Sequence, residues 1–407
     1  MKIKKLIVRN YKLFDDLELD FTDKKGEILD TIVLAGLNGS GKTTILELIE
    51  SLVNGTLKKE TLNKSTSFQL EMVLPSISHE RITLDDNIDL RDKGIGNKKW
   101  IHFGFKESAP ESDMKTFAHY VNIHKEKSKG IFICASDKMY EPKTDTNILL
   151  TSFNTDKKLV QKNISANIQK QVFDNIDTPP REVFRQQIQD LNKIFEGLSL
   201  NSKLIQVSDK ALVFESINGQ KIHFEDLSSG EKMLYYMGFI LNQLNLENTL
   251  ILVDQPEDAL HPTWQQKITA FFKNIGKNNQ VILATHSPQV IASVHPESVF
   301  VLGVEEGKRK IKAFNMAAEH KNSYGLDANR ILSEIMGTSI RSFEAQQKIQ
   351  KINAFMKEIE LNLAPSSLVT LENQIDTLAI DFGKQDMAVM RLRNELRLLK
   401  RKVELTK

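Results

Sequence analysis

A short apolar run, a glycine-rich loop and a helical pattern follow one another near the start of the chain. Residues 32–35 read IVLA, residues 36–43 read GLNGSGKT, and an amphipathic pattern continues to residue 50. Glycines let the backbone turn tightly, so that several N–H groups point at one anion, and the N-terminus of the helix adds partial positive charge. This order predicts a P-loop in an α/β domain, with a nucleoside triphosphate as its ligand.

The polar side chains of this loop have separate predicted roles. In a P-loop the Lys42 ammonium reaches the β- and γ-phosphates, and the Thr43 hydroxyl is a ligand of Mg²⁺. The remaining predicted nucleotide-binding residues of the loop are Asn38, Gly39, Ser40, Gly41 and Thr44. We therefore expect ATP and Mg²⁺ to bind here.

Composition restricts the class of protein. The chain has 407 residues, which predicts two or three domain-sized units or one large domain with insertions. Its net charge of +2 means that any nucleic-acid site must be a local basic patch. The single cysteine, Cys134, excludes an internal disulfide and is expected to be a buried hydrophobe in a cytoplasmic protein. No apolar window reaches about 18 residues, so we expect no membrane span.

Hydrophobic patterning divides the chain into four predicted regions. Residues 1–111 hold the P-loop and antiparallel strands, and residues 112–200 form a mainly helical insert or lid. Residues 201–320 have the βαβ order of a mostly parallel sheet, and residues 321–407 are helical. The predicted fold is α/β, a mixed sheet with an antiparallel β subdomain, a helical insert and a helical tail.

Residues 227–231, LSSGE, precede a helical pattern and form a second candidate anion site. Hydroxyl groups and a glycine N–H at a helix start bind anions, although a plain N-cap explains the same letters. The residues concerned are Ser228, Ser229, Gly230 and Glu231. The motif alone is a weak indication of nucleotide binding. It becomes informative through its order relative to the other motifs of the chain.

Two further strands end in polar residues. The run 250–254, LILVD, places Asp254 at the carboxyl end of a buried strand, where open α/β sheets bind their ligands. A carboxylate there can hold the Mg²⁺ that Thr43 contacts. The strand 280–285 is followed by His286, which we expect beside the metal and the terminal phosphate, although a lone histidine is more often structural.

Taken in order, these motifs resemble the ABC-type ATPase head of the SMC/RecF class. Residues 36–43 match Walker A, 227–231 the signature, 250–254 Walker B and 258–260 the D-loop, and His286 matches the switch histidine. The resemblance also brings Asp258 into the nucleotide site.

The opening segment carries the same resemblance. Asn10, Tyr11, Lys12 and Phe14 match a segment that lies beside the adenine in this class. The class implies two heads that sandwich two ATP molecules, with Ser229 and Gly230 of one head closing on the P-loop of the other. The stretch between Thr43 and Leu227 is too short for the long coiled coil of an SMC protein, and transporter heads lack the opening segment. We therefore expect a compact head with a lid.

Residue 255 departs from the pattern of the class. The usual residue after the Walker B aspartate is a glutamate that acts as general base, whereas this chain has Gln255. An amide cannot take up a proton as a carboxylate does, so ATP hydrolysis should be slow while binding and closure persist. Two origins are open: an engineered Glu→Gln exchange that traps ATP, or a natural DQPED sequence in which Glu257 or Asp258 positions water.

The C-terminal region resembles the ATPases of the Septu and retron-associated antiphage systems. The resemblance rests on residues 324–332, 335–341 and 381–386. It implies a separate partner nuclease of the HNH type and activity in phage defence. A structural alternative is a set of amphipathic helices, with Met390, Leu392, Leu396 and Leu399 in a core or an interface. The basic residues of the last helix fit a solvated face better than a nucleic-acid site: Arg391, Arg393, Arg397, Lys400, Arg401 and Lys402.

Two other functions remain as alternatives. A RecF-like DNA-repair clamp would bind DNA through basic pairs at 58–59, 98–99 and 157–158. The nucleic-acid partner expected for the chain is DNA, or the reverse-transcribed RNA–DNA of a retron. A third alternative makes the chain itself a toxin, such as a tRNA-cleaving enzyme. Against it, the acidic run 85–89 reads as a turn, and the histidines show no zinc-like grouping.

Overall fold

A computed structural model describes residues 2–54, 66–73, 100–105, 130–134, 165, 168–169, 172–173, 175, 177–207, 212–243, 246–304, 311–339, 341–362 and 365–405. Most of the predicted insert, the three basic pairs, the acidic run 85–89 and the side chain of Cys134 lie outside these residues. The chain forms two compact units, Met1–Met336 and Gly337–Lys407. The division therefore falls C-terminal to the predicted boundary at residue 320.

In chain order the strands are β1 (Lys2–Tyr11), β2 (Phe14–Asp20), β3 (Thr31–Gly36), β4 (Ser67–Val73), β5 (Trp100–Phe105), β6 (Gly130–Cys134), β7 (Ser202–Val207), β8 (Leu212–Ser216), β9 (Lys221–His223), β10 (Leu250–Asp254), β11 (Gln280–Thr285), β12 (Val299–Val304) and β13 (Ile311–Asn315). The described helices are α1 (Lys42–Asn54), α2 (Pro180–Lys193), α3 (Ser229–Gln243), α4 (Pro262–Gln265), α5 (Ile268–Lys273), α6 (Pro288–Ala292), α7 (Ala328–Arg330), α8 (Phe343–Asn362), α9 (Pro365–Phe382) and α10 (Met387–Leu405).

A six-stranded sheet in the order β13-β12-β3-β11-β10-β6 forms the centre of the first unit. Strands β12, β3, β11, β10 and β6 are parallel, and β13 runs antiparallel at the edge. Every described residue of β3, β10 and β11 is buried, as expected for parallel strands covered on both faces. The carboxyl ends of β3, β10 and β11 lie side by side, which places the P-loop next to Asp254 and His286.

The two faces of this sheet bury separate hydrophobic cores. Side chains such as Ile32 and Leu252 pack with α1 and with the antiparallel sheet β2-β1-β4-β5. Their neighbours on the other face, such as Val33 and Val253, pack with α3, α5 and the three-stranded sheet β7-β8-β9. The predicted α/β class, with its mixed sheet and antiparallel subdomain, is confirmed.

Gln280 ties the antiparallel sheet to the central one. Its fully buried amide accepts a hydrogen bond from the Ile3 N–H (2.6 Å) and donates to the carbonyls of Ile3 (2.8 Å) and Leu29 (3.0 Å). Since backbone groups buried without partners are costly, one side chain here satisfies three of them. This attachment keeps β1 and the segment that follows it in a fixed position.

The pattern over residues 262–275 predicts one helix, but the structure has two short helices, α4 and α5. The Lys267 N–H bonds the carbonyl of Trp264, three residues earlier, so the α-helical hydrogen-bond pattern is interrupted between the two helices. The Lys267 ammonium also bonds the Ser199 hydroxyl (2.9 Å). The single helix that the sequence predicts over residues 262–275 is therefore divided at Lys267, the residue that bonds Ser199.

The second unit consists of α8, α9 and α10 around its own core. The breaks between the helices fall at Pro365 and Gly383, as predicted, and Leu392, Leu396 and Leu399 are buried. Ion pairs join the helices: Lys348–Asp381 (2.8 Å), Arg393–Asp376 (2.8 Å), Lys400–Glu372 (2.7 Å) and Lys402–Glu360 (2.6 Å). Several tail cations are thus paired within the unit. In the part of the chain that the structure describes, every helix is too short or too polar to cross a bilayer.

Candidate nucleotide-binding site

The P-loop connects β3 to α1 and is packed against the opening segment of the chain. Gly36, Gly39 and Gly41 have φ angles of +152°, +79° and +89°, which side-chain-bearing residues rarely adopt. A Cβ at Gly41 would lie 2.5 Å from the ring of Phe14. Phe14 is buried at the start of β2, directly after the tight turn that contains Lys12. The glycine therefore allows the hairpin β1–β2 to support the loop.

Lys42 is held over its own loop. Its ammonium donates to the carbonyls of Gly36 and Leu37, both at 2.9 Å, and the residue is 6% exposed. Burial lowers the pKa of this ammonium, while the negative charges of Asp254 and Glu257 act in the opposite direction. A poorly solvated cation in this position is well suited to a phosphate, which supplies the charge that the site lacks.

Thr43 and Asp254 meet as the motifs predict. The Thr43 hydroxyl donates to Asp254 Oδ2 at 2.7 Å. Asp254 is 3% exposed, and its Oδ1 has no hydrogen-bond partner among the described residues. Burial raises the pKa of this carboxyl, although Thr43 and Lys42 lower it in part. A buried carboxylate oxygen without a partner, next to a hydroxyl, is a donor set that fits Mg²⁺, which prefers oxygen ligands.

Glu257 forms a second buried carboxylate in the same place. It is 5% exposed and accepts the backbone N–H of His286 at 2.9 Å. The His286 Nδ1 lies 3.3 Å from the same oxygen, while Glu257 Oε2 has no hydrogen-bond partner among the described residues. The loop after β10 and the residue that follows β11 thus bring a carboxylate and an imidazole into contact, next to Asp254.

Gln255 lies between these two carboxylates in the chain and has a left-handed backbone, with φ of +53°. Its N–H donates to the carbonyl of Ala284 (2.8 Å), and its side chain is half-buried. No described residue forms a hydrogen bond with its amide group. The position next to Asp254 is occupied by a group that can orient water but cannot accept its proton.

The signature motif starts α3 and divides into two kinds of residue. Ser228 and Glu231 form a capping arrangement, in which the Ser228 hydroxyl donates to Glu231 Oε2 (2.9 Å) and accepts the Glu231 N–H (3.3 Å). Glu231 is buried, whereas Ser229 is exposed in the first turn. A Cβ at Gly230 would lie 2.9 Å from the carbonyl of Ala259 and from the ring of Trp264.

The other predicted site residues occupy the loop and its surroundings. The Lys12 ammonium lies 3.6 Å from Glu47 Oε2. Asn38 is exposed, Thr44 is half-buried, and the buried Ser40 hydroxyl has no partner among the described residues. The Asp258 N–H bonds the carbonyl of Gln255 (3.2 Å).

Sequence reasoning missed Ser202 and Tyr235, which hold Glu231 and β7 in place. The Ser202 hydroxyl donates to Glu231 Oε1 at 2.9 Å, and the Tyr235 hydroxyl donates to the Ser202 carbonyl. The S-x-x-E spacing of 228–231 could have revealed the capping arrangement. No local signal marks Ser202, because its partner lies in a distant part of the chain.

Matches to known families cover both parts of the ATPase unit. A family profile described as "AAA ATPase domain" matches residues 1–138. A second, described as "AAA domain, putative AbiEii toxin, Type IV TA system", matches residues 154–292.

Curated relatives match over different lengths. Septu protein PtuA of Bacillus thuringiensis is 24% identical over 379 residues, covering 88% of this chain and 89% of PtuA. The Retron Ec83 probable ATPase of Escherichia coli is 21% identical, covering 74% of this chain and 71% of the relative. The Retron Vc95 probable ATPase of Vibrio cholerae serotype O1 biovar El Tor is 31% identical over 155 residues, covering 34% of this chain but only 29% of the relative.

Solved structures of SMC heads are also similar. The SMC head domain from Thermotoga maritima is 13% identical, with a TM-score of 0.42, and the match covers 77% of this chain and 99% of that domain. An SmcHead bound to the C-winged helix domain of ScpA is 15% identical, with a TM-score of 0.46 and coverage of 78% and 100%.

Walker A, the signature, Walker B and the switch histidine occur in the order found in ABC-type ATPases of the SMC/RecF class. The two family profiles and the relatives named as ATPases support an ATPase head of this kind. Among these relatives, the chain is similar to Septu protein PtuA and to the retron ATPases.

The buried carboxyl of Asp254 leads to a prediction about pH. Because its pKa is raised in the folded chain, the ionised form destabilises the nucleotide-free fold, and this penalty grows as the pH rises. Asp254→Asn should therefore raise the melting temperature by about 2 °C at about pH 8, and by less at about pH 5. Thermal unfolding without nucleotide measures both values. The control is Asp16→Asn, on a side chain 72% exposed. A lower melting temperature for Asp254→Asn at the higher pH would contradict the prediction.

Proposed function

We propose that this chain is a cytoplasmic ATPase whose ATP-bound heads close on each other and thereby control a partner effector, in phage defence. The observation that carries the proposal is the set of buried polar atoms that lack partners around the P-loop. Ser40 Oγ, Asp254 Oδ1 and Glu257 Oε2 have no hydrogen-bond partner among the described residues. Buried groups of this kind are rare in a fold unless a ligand satisfies them.

Each predicted residue has a place in this proposal. Lys42 and the loop N–H groups bind the phosphates, with support from Asn38, Gly39, Ser40, Gly41 and Thr44. Lys12, in the turn of the opening hairpin, is a further predicted nucleotide contact. Thr43 and Asp254 hold Mg²⁺, which supplies positive charge to the terminal phosphates. His286 and Asp258 complete the site at the ends of the neighbouring strands.

The second half of each site comes from the other head. Ser229 is exposed, so its hydroxyl is available to an ATP molecule held by a second copy, and the buried Gly230 lies beside it. Ser228 and Glu231 bond each other and shape the first turn of α3. The nucleotide contacts of the signature therefore belong to Ser229 and Gly230, with Ser228 and Glu231 in support.

Hydrolysis in this proposal is slow and resets the closed state. Gln255 cannot accept a proton, and Asp254 is assigned to Mg²⁺ in this proposal. The other carboxylate with an oxygen that lacks a hydrogen-bond partner among the described residues of the site is Glu257, which His286 contacts. Glu257 acts as the residual base or orients the water. Binding and closure do not need this step.

The partner effector is a nuclease, by resemblance to the Septu and retron systems, and the target is DNA or the RNA–DNA of a retron. The alternative, a RecF-like DNA clamp, needs free cations. On the last helix, Arg393, Lys400 and Lys402 are paired with carboxylates of their own unit, which favours a protein partner over DNA. The basic pairs of the alternative lie outside the described residues.

Sedimentation with and without Mg-ATP tests the proposal. We expect the parent chain to change from monomer to dimer, or to a higher even oligomer, on adding ATP. Lys42→Ala should lose ATP binding by at least about a hundredfold and remain monomeric. Lys24→Ala, at a side chain 79% exposed, is the matched control. A parent chain that is saturated with ATP and still monomeric would overturn the sandwich.

Two further experiments distinguish control of a partner nuclease from DNA binding by a RecF-like clamp. Co-purification with the product of the neighbouring gene should recover the nuclease. DNA binding that depends on ATP and falls steeply with salt would instead favour the RecF-like clamp.

A further inference from the structure

We propose that Ser202 is a positioning residue for the signature motif, and that it makes closure of the ATP sandwich depend on β7 and α2. The proposal rests on the function proposed above and adds a link between the end of the insert and the part of the site that acts on the second head. The link is a set of hydrogen bonds that joins the buried side chains of Ser202 and Glu231 to the exposed Ser228, and it is called here the Ser202–Glu231–Ser228 chain.

The Glu231 carboxylate is the centre of this chain. Glu231 is 5% exposed, and its Oε1 accepts the Ser202 hydroxyl at 2.9 Å while its Oε2 accepts the Ser228 hydroxyl at 2.9 Å. A buried carboxylate needs donors on its oxygens, and hydrogen bonds to an ionised group are among the strong ones. Each oxygen therefore has a donor that fixes the carboxylate in one orientation.

Ser202 itself is fixed by the same helix. It is 7% exposed, and its carbonyl accepts the hydroxyl of Tyr235, one turn beyond Glu231 on α3. Burial raises the pKa of the Tyr235 hydroxyl to about 12, so this group stays a donor at neutral pH. The start of β7 is thus attached to α3 at two points.

Helix α2 holds β7 from the other side. The side chain of Asn192, near the end of α2, donates to the carbonyl of Leu204 (2.8 Å) and accepts the Leu204 N–H (3.1 Å). Leu204 lies two residues after Ser202. A displacement of α2, which leads into β7 from the predicted insert, must therefore move Ser202 or break these bonds.

Tight packing around Gly230 limits how the first turn of α3 can move when Ser202 is displaced. Gly230 faces the carbonyl of Ala259 and the ring of Trp264 at distances that leave no room for a Cβ. Ser228 loses its acceptor if the carboxylate of Glu231 turns away. Because Ser229 and Gly230 are part of this turn, their position depends on the donor that Ser202 provides.

The test is Ser202→Ala in the full chain, with Ser216→Ala as the matched control. Ser216 is the cross-strand partner of Ser202 on β8, and its hydroxyl accepts the N–H of Gln220 in the hairpin. Removing one hydrogen bond to a charged group should weaken each ATP site about tenfold, and the symmetric dimer about a hundredfold. ATP binding at the chain's own P-loop, measured under monomeric conditions, should change less than about twofold.

Two more variants keep the test decisive if Ser202→Ala is unstable. Ser202→Thr keeps the hydroxyl and should restore dimerisation, and Asn192→Ala should weaken dimerisation in the same direction while leaving Ser202 in place. A merely structural loss would lower the P-loop affinity and the dimer stability together, so a loss confined to dimerisation supports the proposal.

The outcomes separate the two proposals. If the parent chain dimerises in ATP and Ser202→Ala dimerises as strongly, the role of Ser202 is overturned and the sandwich stands. If the parent chain binds ATP and stays monomeric, both the ATP-sandwich dimer and the positioning role of Ser202 are contradicted. If Ser216→Ala weakens dimerisation as much as Ser202→Ala, the effect belongs to the β7-β8-β9 sheet as a whole, and the role of Ser202 is again overturned.

Discussion

Gln255→Glu is expected to raise the rate of ATP hydrolysis by about a hundredfold, the range of a well-placed general base. The new carboxylate would stand directly after Asp254, at the position where the class carries its base. The backbone at this position has φ of +53° in the present chain and keeps its hydrogen bond to Ala284, so the exchange alters the side chain and not the path of the loop. Phosphate release under saturating Mg-ATP measures the gain.

A gain at residue 255 must be separated from a general effect of added charge. Gln266→Glu introduces the same charge at an exposed position between α4 and α5 and should leave turnover unchanged. The ATP-bound dimer of Gln255→Glu should also be shorter-lived, because the nucleotide is consumed. Unchanged turnover with intact ATP binding would show that the amide at residue 255 is not what limits hydrolysis.

Glu257→Gln should lower the remaining turnover of the parent chain by about a hundredfold, with ATP-driven association intact. The amide oxygen of glutamine can still accept the N–H of His286, so the loop keeps its fold while the carboxylate is lost. Turnover and sedimentation measured on the same preparation give both quantities. Glu247→Gln, at a side chain 61% exposed, is the control.

Combining the two exchanges tests whether Glu257 takes the place of the missing base. In the Gln255→Glu background, Glu257→Gln should cost less than about threefold, because residue 255 now accepts the proton. Equal losses in both backgrounds would assign Glu257 a role in holding His286 rather than in proton transfer.

The sequence predicts the elements whose signals are local. The strand, loop and helix of the P-loop lie within one short stretch, and the carboxylate of Asp254 ends a run of apolar residues. The three terminal helices follow from amphipathic spacing, with breaks at Pro365 and Gly383. The contact between Thr43 and Asp254 follows as well, because the parallel strands β3 and β10, with β11 between them, end at the same edge of the sheet.

Features that depend on distant partners could not be predicted. Ser202 and Glu231 meet only after β7 has packed on α3. Gln280 bonds the backbone of Ile3, which lies 277 residues earlier in the sequence. The Lys267 ammonium, at the interruption between α4 and α5, likewise bonds Ser199, in another part of the chain. In each case the hydrogen bond joins residues that are far apart in the sequence, so the residues next to either partner do not predict it.

The position of Lys42 has a consequence for the rate at which ATP binds. Since the carbonyls of Gly36 and Leu37 already hold the ammonium, an arriving triphosphate exchanges partners on one side chain and does not have to refold a loop. Binding that needs no conformational change is faster than binding that needs one. In the proposed function, the lifetime of the closed pair of heads, and not the capture of ATP, then determines how long the partner effector is controlled.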